Sequence, residues 1–129
     1  MDDPGILLVE DNGDDEWLAL RVLKKAGVSQ VTVARDGAAA VRMLHGDERS
    51  GAAATCCPGV VLLDLRLPRL DGIEVLKRIR GDERTKGTRV VVLTSSEDPH
   101  DKAQCRELGV TEFCSKPFTT QCIAELGLV

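Results

Sequence analysis

The sequence predicts an α/β fold: a doubly wound, five-stranded parallel sheet with helices on both faces. Three observations carry this. Strand-like and helix-like segments alternate five times along 129 residues, the pattern of successive βαβ units joined by right-handed crossovers. Three of the strand-like runs, Ile6-Leu7-Leu8-Val9, Val60-Val61-Leu62-Leu63 and Val90-Val91-Val92-Leu93, are continuously apolar, as strands covered on both faces are. The other two, Val31-Thr32-Val33 and Glu112-Phe113-Cys114-Ser115, are shorter or more mixed, which makes them edges. Central runs one, three and four with edges two and five give the strand order 2-1-3-4-5.

Each element has its own signal. The first run ends in Glu10-Asp11, and Asn12-Gly13-Asp14-Asp15 forms a turn whose acids suit the first turn of a helix. Ala19, Val22, Leu23 and Ala26 then keep the spacing of one helical face, and Gly27 stops it. Trp17, the one Trp, is expected to pack that helix's first turn. Asp36 is an N-cap candidate, with Gly37, Ala40, Val41 and Leu44 as the second helical face. Residues Gly46 to Pro58 read as a long loop. After the third strand, Pro68 and Asp71-Gly72 break the chain, and Gly72, Val75, Leu76 and Ile79 repeat the helical face, leaving Lys77, Arg78 and Arg80 solvated. The fourth helix opens at Asp98 or Pro99 and ends near Leu108, with Gly109 as its stop. Lys116-Pro117 closes the fifth strand, and Thr119, Cys122, Ile123 and Leu126 mark a short last helix.

Composition narrows the function. Residues are 43% hydrophobic but only 2% aromatic, so the core is aliphatic. With 17 basic and 21 acidic residues the formal charge is −4, which argues against a nucleic-acid surface, since that needs a basic stripe. No apolar run reaches the length of a membrane span, and Met1-Asp2-Asp3-Pro4 is unlike a signal peptide. The expectation is one cytoplasmic domain over residues 1–129, with no effector domain. Five cysteines without a C-x-x-C pair suggest neither a disulfide framework nor a zinc site. They are expected as reduced thiols, although Cys105, Cys114 and Cys122 fall on successive late elements and suit a redox role if they meet.

In a doubly wound sheet, function sits beyond the carboxyl ends of the strands, at the switch between strands one and three. Strand one ends in Glu10 and Asp11, strand three in Asp64, strand four in Thr94 and strand five in Lys116. Each alone reads as a solvated turn, a cap or a surface ammonium. Together they bring three acids, a hydroxyl and a lysine to one edge. Clustered carboxylates raise at least one pKa unless a cation is present, and an all-oxygen set suits a hard divalent ion, Mg²⁺ above others. A metal beside an Asp, faced by an ammonium and a hydroxyl, suits a phosphoryl group, with the Asp as nucleophile.

On these residues the chain resembles the response-regulator receiver domains, the CheY-like phosphoacceptor modules of two-component phosphorelay signalling, whose fold is flavodoxin-like. The matching pieces are Leu8-Val9-Glu10-Asp11-Asn12, Leu63-Asp64-Leu65-Arg66-Leu67-Pro68, Asp71-Gly72, Val92-Leu93-Thr94-Ser95 and Lys116-Pro117-Phe118, across Ile6 to Phe118. The resemblance implies that Asp64 takes a phosphoryl group from a sensor histidine kinase or histidine phosphotransfer protein. It implies Mg²⁺ held by Asp11, Asp64 and the Arg66 backbone carbonyl, with Glu10 acting mainly through water. It gives Thr94 and Lys116 the phosphoryl oxygens, makes Lys116-Pro117 a cis peptide, and makes Phe113 a switch aromatic that fills the space Thr94 vacates. The output face would be the fourth helix, fifth strand and fifth helix, read by an unidentified downstream protein as a monomer or a phosphorylation-dependent homodimer. Neither nucleic acid nor membrane is implied.

The 46–58 loop is long for the family and, with the Glu10–Asp15 acids, is similar to the stand-alone regulators paired with phytochrome-like kinases. The last helix is short, and Arg66 and Ser96 stand at positions that modulate phosphoryl lifetime in the family. Three rivals remain. An aspartate-nucleophile phosphatase carries a second acid where Arg66 stands. A flavin protein needs a hydroxyl- and Gly-rich phosphate loop where Glu10-Asp11 stand. A receiver-like adaptor that is never phosphorylated would not need the full set.

Overall fold

The computed structural model of the chain describes residues 5–47, 51, 53–54, 58–67, 70–94, 99–116 and 118–127. Five strands and five helices alternate: β1 (Ile6–Val9), α1 (Gly13–Lys25), β2 (Val31–Ala34), α2 (Gly37–His45), β3 (Val60–Asp64), α3 (Gly72–Gly81), β4 (Arg89–Thr94), α4 (Pro99–Glu107), β5 (Glu112–Ser115) and α5 (Thr120–Leu126). The sheet is parallel throughout, in the order β2-β1-β3-β4-β5. The three apolar runs are its centre, and the two mixed runs are its edges, as expected.

Side chains alternate across the pleat, and the two faces build two cores. Leu7, Val9, Val61, Leu63, Val90 and Val92 pack under α2, α3 and α4, meeting Ala40, Leu44, Val75, Leu76 and Ile79. Ile6, Leu8, Leu62, Val91, Leu93 and Cys114 face α1 and α5, meeting Ala19, Val22, Leu23 and Ile123. Helix starts use local caps. Asn12 Oδ1 accepts from the Asp14 and Asp15 amides at 2.9 and 3.1 Å, Asp36 Oδ1 accepts from the Ala39 amide at 2.7 Å, and Thr119 Oγ1 accepts from the Cys122 amide at 3.2 Å. These satisfy amides that have no partner within the first helical turn.

Four expectations need correction. Trp17 is 60% exposed, with the Arg21 guanidinium 5.3 Å from its ring centroid, because position 17 falls on the outer face of α1. Arg80 is not solvated: it donates to the Leu108, Lys86 and Thr88 carbonyls at 2.7, 3.0 and 2.6 Å. It thereby closes the end of α4 against the turn before β4. The three late cysteines do not meet as a group, because Cys105 lies in the α2–α3–α4 core and Cys114 in the α1–α5 core. The sheet divides them. Finally, Cys114 is disulfide-bonded to Cys122 rather than free, while Cys105 is a buried free thiol. The readings placed on Cys56, Cys57, Pro68, Ser95, Ser96, Asp98 and Pro117, including the cis peptide, lie outside the described residues.

Candidate functional site

The pocket forms where the strands end. Glu10 follows β1, Asp64 closes β3 and Lys116 follows β5. By strand parity each shares a face with Leu8, Leu62 and Cys114, the α1–α5 side. All three side chains therefore lean one way and meet. Lys116 Nζ lies 2.7 Å from Glu10 Oε1, 2.7 Å from Asp64 Oδ2 and 3.0 Å from Asp15 Oδ2. Its three N–H donors thus each face a carboxylate. The second Asp64 oxygen accepts from the Arg66 amide at 2.9 Å, and Glu10 Oε2 accepts from the Asn12 amide at 3.3 Å. Glu10 and Asp64 are 1% and 4% exposed, whereas Asp11 is open to solvent.

The electrostatics are those of a site with too little positive charge. Burial, then the hydrogen-bonded Asp64 carboxylate, push the Glu10 carboxyl up to about 7, against the pull of Lys116. The rise expected for clustered carboxylates is therefore present. Burial alone would lower the Lys116 ammonium, but hydrogen bonds to Asp64, Glu10 and Asp15 outweigh it and hold its pKa above the ordinary lysine value. Glu10, Asp11 and Asp64 each place a carboxylate oxygen within 4.8 Å of the others. Three hard oxygen donors this close, two of them buried, fit a small divalent cation.

Thr94, 8% exposed, is the last residue of β4, and its carbonyl accepts from the Lys116 amide at 3.0 Å. It shares pleat parity with Val92, and Val92 pairs with Phe113. Thr94 and Phe113 thus lie on the α3–α4 side of the sheet, one step apart along it. The Phe113 ring is half-buried, with Lys102 Nζ at 5.9 Å and the Arg106 guanidinium at 5.6 Å from its centroid. Arg66 turns away from the acids and pairs with Asp101 on α4 at 3.0 Å.

Two contacts had no reading in the sequence. Asp15 was an acid of a helix first turn, yet it reaches Lys116 across 101 positions of chain. Its place four residues after Asp11, on the pocket side of α1, is the signal that would have found it. Gly72 N–H donates to the Leu65 carbonyl at 3.1 Å, and a Cβ there would lie 2.6 Å from the Asp64 carbonyl oxygen. Only glycine lets α3 approach the acid-bearing strand so closely.

The fold and site define a class: a doubly wound α/β domain with an acidic pocket, a lysine and a threonine at the carboxyl ends of its strands. Its sequence matches the response regulator receiver domain over residues 6–126, and the chain belongs to that family, the CheY-like receivers of two-component systems. It is 38% identical over 112 residues to the response regulator Rcp1 of Synechocystis sp., covering 86% of this chain and 75% of Rcp1. The solved structure of the bacteriophytochrome response regulator AtBRR has a TM-score of 0.79 and 38% identity, covering all of this chain and 96% of that one. The receiver domain of the sensor histidine kinase PA1611 from Pseudomonas aeruginosa, solved with magnesium coordinated in its active-site cleft, has a TM-score of 0.79 and 28% identity over 97% of this chain and 94% of that one.

Proposed function

We propose that the chain is a response-regulator receiver that accepts a phosphoryl group on Asp64 and signals through protein contacts. The observation that carries this reading is the Lys116 ammonium held 2.7 Å from Asp64, within a group of carboxylates short of positive charge. Asp64 attacks the phosphorus of a phosphohistidine on a sensor kinase or phosphotransfer protein. The new bond is Asp64 O–P, the broken one is P–N, and the imidazole leaves with the electron pair. Lys116 keeps one N–H on the carboxylate and turns its others to phosphoryl oxygens. Thr94 donates its hydroxyl to a third oxygen. Bound at Glu10, Asp11, Asp64 and the Arg66 carbonyl, Mg²⁺ would neutralise the charge that gathers on the transferred group.

The phosphoryl group carries about two negative charges in place of the one on the Asp64 carboxylate, and its oxygens draw Thr94 toward the site. Phe113, on the same side of the sheet, turns into the space this opens and leaves Lys102 and Arg106. The change is read on α4, β5 and α5 by a downstream protein, as a monomer or a phosphorylation-dependent dimer. The domain acts on no separate substrate, catalysing only its own phosphorylation and dephosphorylation in the cytoplasm. Position 66, where an aspartate-nucleophile phosphatase carries its second acid, holds Arg66, whose guanidinium pairs with Asp101. In the test, Mg²⁺ and then beryllofluoride are added, and Trp17 emission and amide NMR shifts are followed. Wild type responds to both, whereas Asp64→Asn loses the beryllofluoride response. Equal responses in the two proteins reject the assignment.

A further inference from the structure

The cysteines carry a feature outside the phosphoryl site. Cys114 sits on β5, 2% exposed, and Cys122 sits on α5, half-buried. Their Cα atoms are 6.6 Å apart and their sulfurs are bonded. The separation lies within the range that a disulfide spans. The bond joins the last strand to the last helix across only eight positions of sequence.

We propose that Cys114 and Cys122 form a reversible redox staple that decides how firmly α5 is held on the sheet. The helix needs such a hold. It has seven residues, too few to be stable alone, and Ile123 is its one buried side chain. Besides the Thr119 cap, the Leu126 carbonyl accepts from Arg89. A cross-link to β5 removes the freedom of α5 to lift. Where disulfides occur in a reducing compartment, they are usually transient and redox-sensing.

The pair suits thiol–disulfide exchange. The more open Cys122 thiolate attacks a low-molecular-weight disulfide such as oxidised glutathione. One glutathione thiolate leaves, and a mixed disulfide forms on Cys122. The Cys114 thiolate then attacks the Cys122 sulfur and displaces the second glutathione thiolate. The protein loses two protons and two electrons, and one glutathione disulfide becomes two thiols. Cys105 takes no part: it lies on the other side of the sheet, and burial, then Asp101, push its thiol up to about 11, leaving little thiolate to react.

The inference stands apart from the phosphoryl reading, because it is tested without Mg²⁺ or a phosphoryl donor. The full chain, reduced with dithiothreitol, is exchanged into oxidised glutathione, alkylated and mapped by mass spectrometry. Alkylated thiols should fall from five to three, with the Cys114 and Cys122 peptides joined, and dithiothreitol should reverse this. A Cys56→Ser/Cys57→Ser variant should behave the same way. Hydrogen exchange of residues 120–126 should slow at least tenfold on oxidation in wild type and not at all in Cys122→Ser. Free Cys114 and Cys122 peptides after oxidation, or equal exchange in both redox states of wild type, overturn the proposal.

Discussion

At the level of single residues, Asp15 and His45 show how position gives an ordinary side chain a particular task. Asp15 adds a fourth carboxylate to a pocket with one ammonium. Replacing it with Asn removes a negative charge near the cluster without touching Glu10, Asp11 or Asp64. Mg²⁺ affinity should fall about threefold at low ionic strength, the scale of one partly screened charge across several ångströms. Titrations followed by Trp17 emission should show the gap closing as salt rises, whereas Asp11→Asn should lose more and stay weak in salt. His45 makes a separate point about protons. Its Nε2 lies 2.8 Å from Thr85 Oγ1, and that hydroxyl already donates to the Ile79 carbonyl at 2.8 Å. The hydroxyl has no second hydrogen, so Nε2 carries the proton and donates. Burial foremost lowers the His45 pKa below 6.5, and Arg84 and Arg78 add to this against Asp82. Protonation is thus harder in the folded chain than in the unfolded one. The associated stability is complete above about pH 6.5 and is lost as pH falls below it, until the folded-state value is passed. Thermal melts at pH 7.5 and 5.5 should therefore differ less in His45→Gln, which keeps an N–H for Thr85, than in wild type. An unchanged difference would mean that His45 does not couple folding to pH.

At the scale of elements, most of the architecture was legible because its signals are local. Apolar runs marked the central strands, Asp36 marked the start of α2, and Gly109, at φ +83, marked the stop after α4. Contacts settled by distant partners were not legible. Helical spacing put Arg80 on an outer face, but its guanidinium reaches three carbonyls on two other segments. Trp17 looked like a packing residue because Trp usually is one, yet the inner face of α1 is filled by Ala19, Val22 and Leu23. The junction of β3 and α3 is the element on which the site leans most. A methyl group at position 72 would meet Leu65 Cα at 2.5 Å as well as the Asp64 carbonyl. Both are backbone atoms that cannot swing aside. Gly72→Ala should cost about 2 kcal/mol of stability, the scale of forced overpacking. It should also shift the Asp64 and Arg66 amide resonances in the folded protein. A denaturant midpoint equal to wild type would show that α3 moves away at no cost.

Over the whole molecule, the candidate site was legible as a list of residue types at strand ends, because a parallel sheet carries all five carboxyl ends to one edge. The way those residues partner was not. Lys116 reaches Asp15 and Asp64 across 101 and 52 positions, and no local rule states which carboxylate an ammonium selects. The disulfide was missed for a related reason: an odd cysteine count without a motif says nothing about which helix lies over which strand. A site assembled only by folding has a consequence for the stability of the entire domain. The unfolded chain does not bring Glu10, Asp11 and Asp64 together, so a cation that binds them stabilises the native state by mass action. At a hundredfold excess over its Kd the gain is about 2.7 kcal/mol, which for a domain of this size raises Tm by roughly 10 °C. The attraction between the cation and the three carboxylates, two of them buried around the Lys116 ammonium, would supply the binding energy. Asp11→Asn and Asp64→Asn should each flatten the response of Tm to Mg²⁺, and Asp64→Asn should also raise the metal-free Tm, because one buried charge has gone. A wild-type Tm that does not move through saturating millimolar Mg²⁺ would mean that the three carboxylates do not hold the ion.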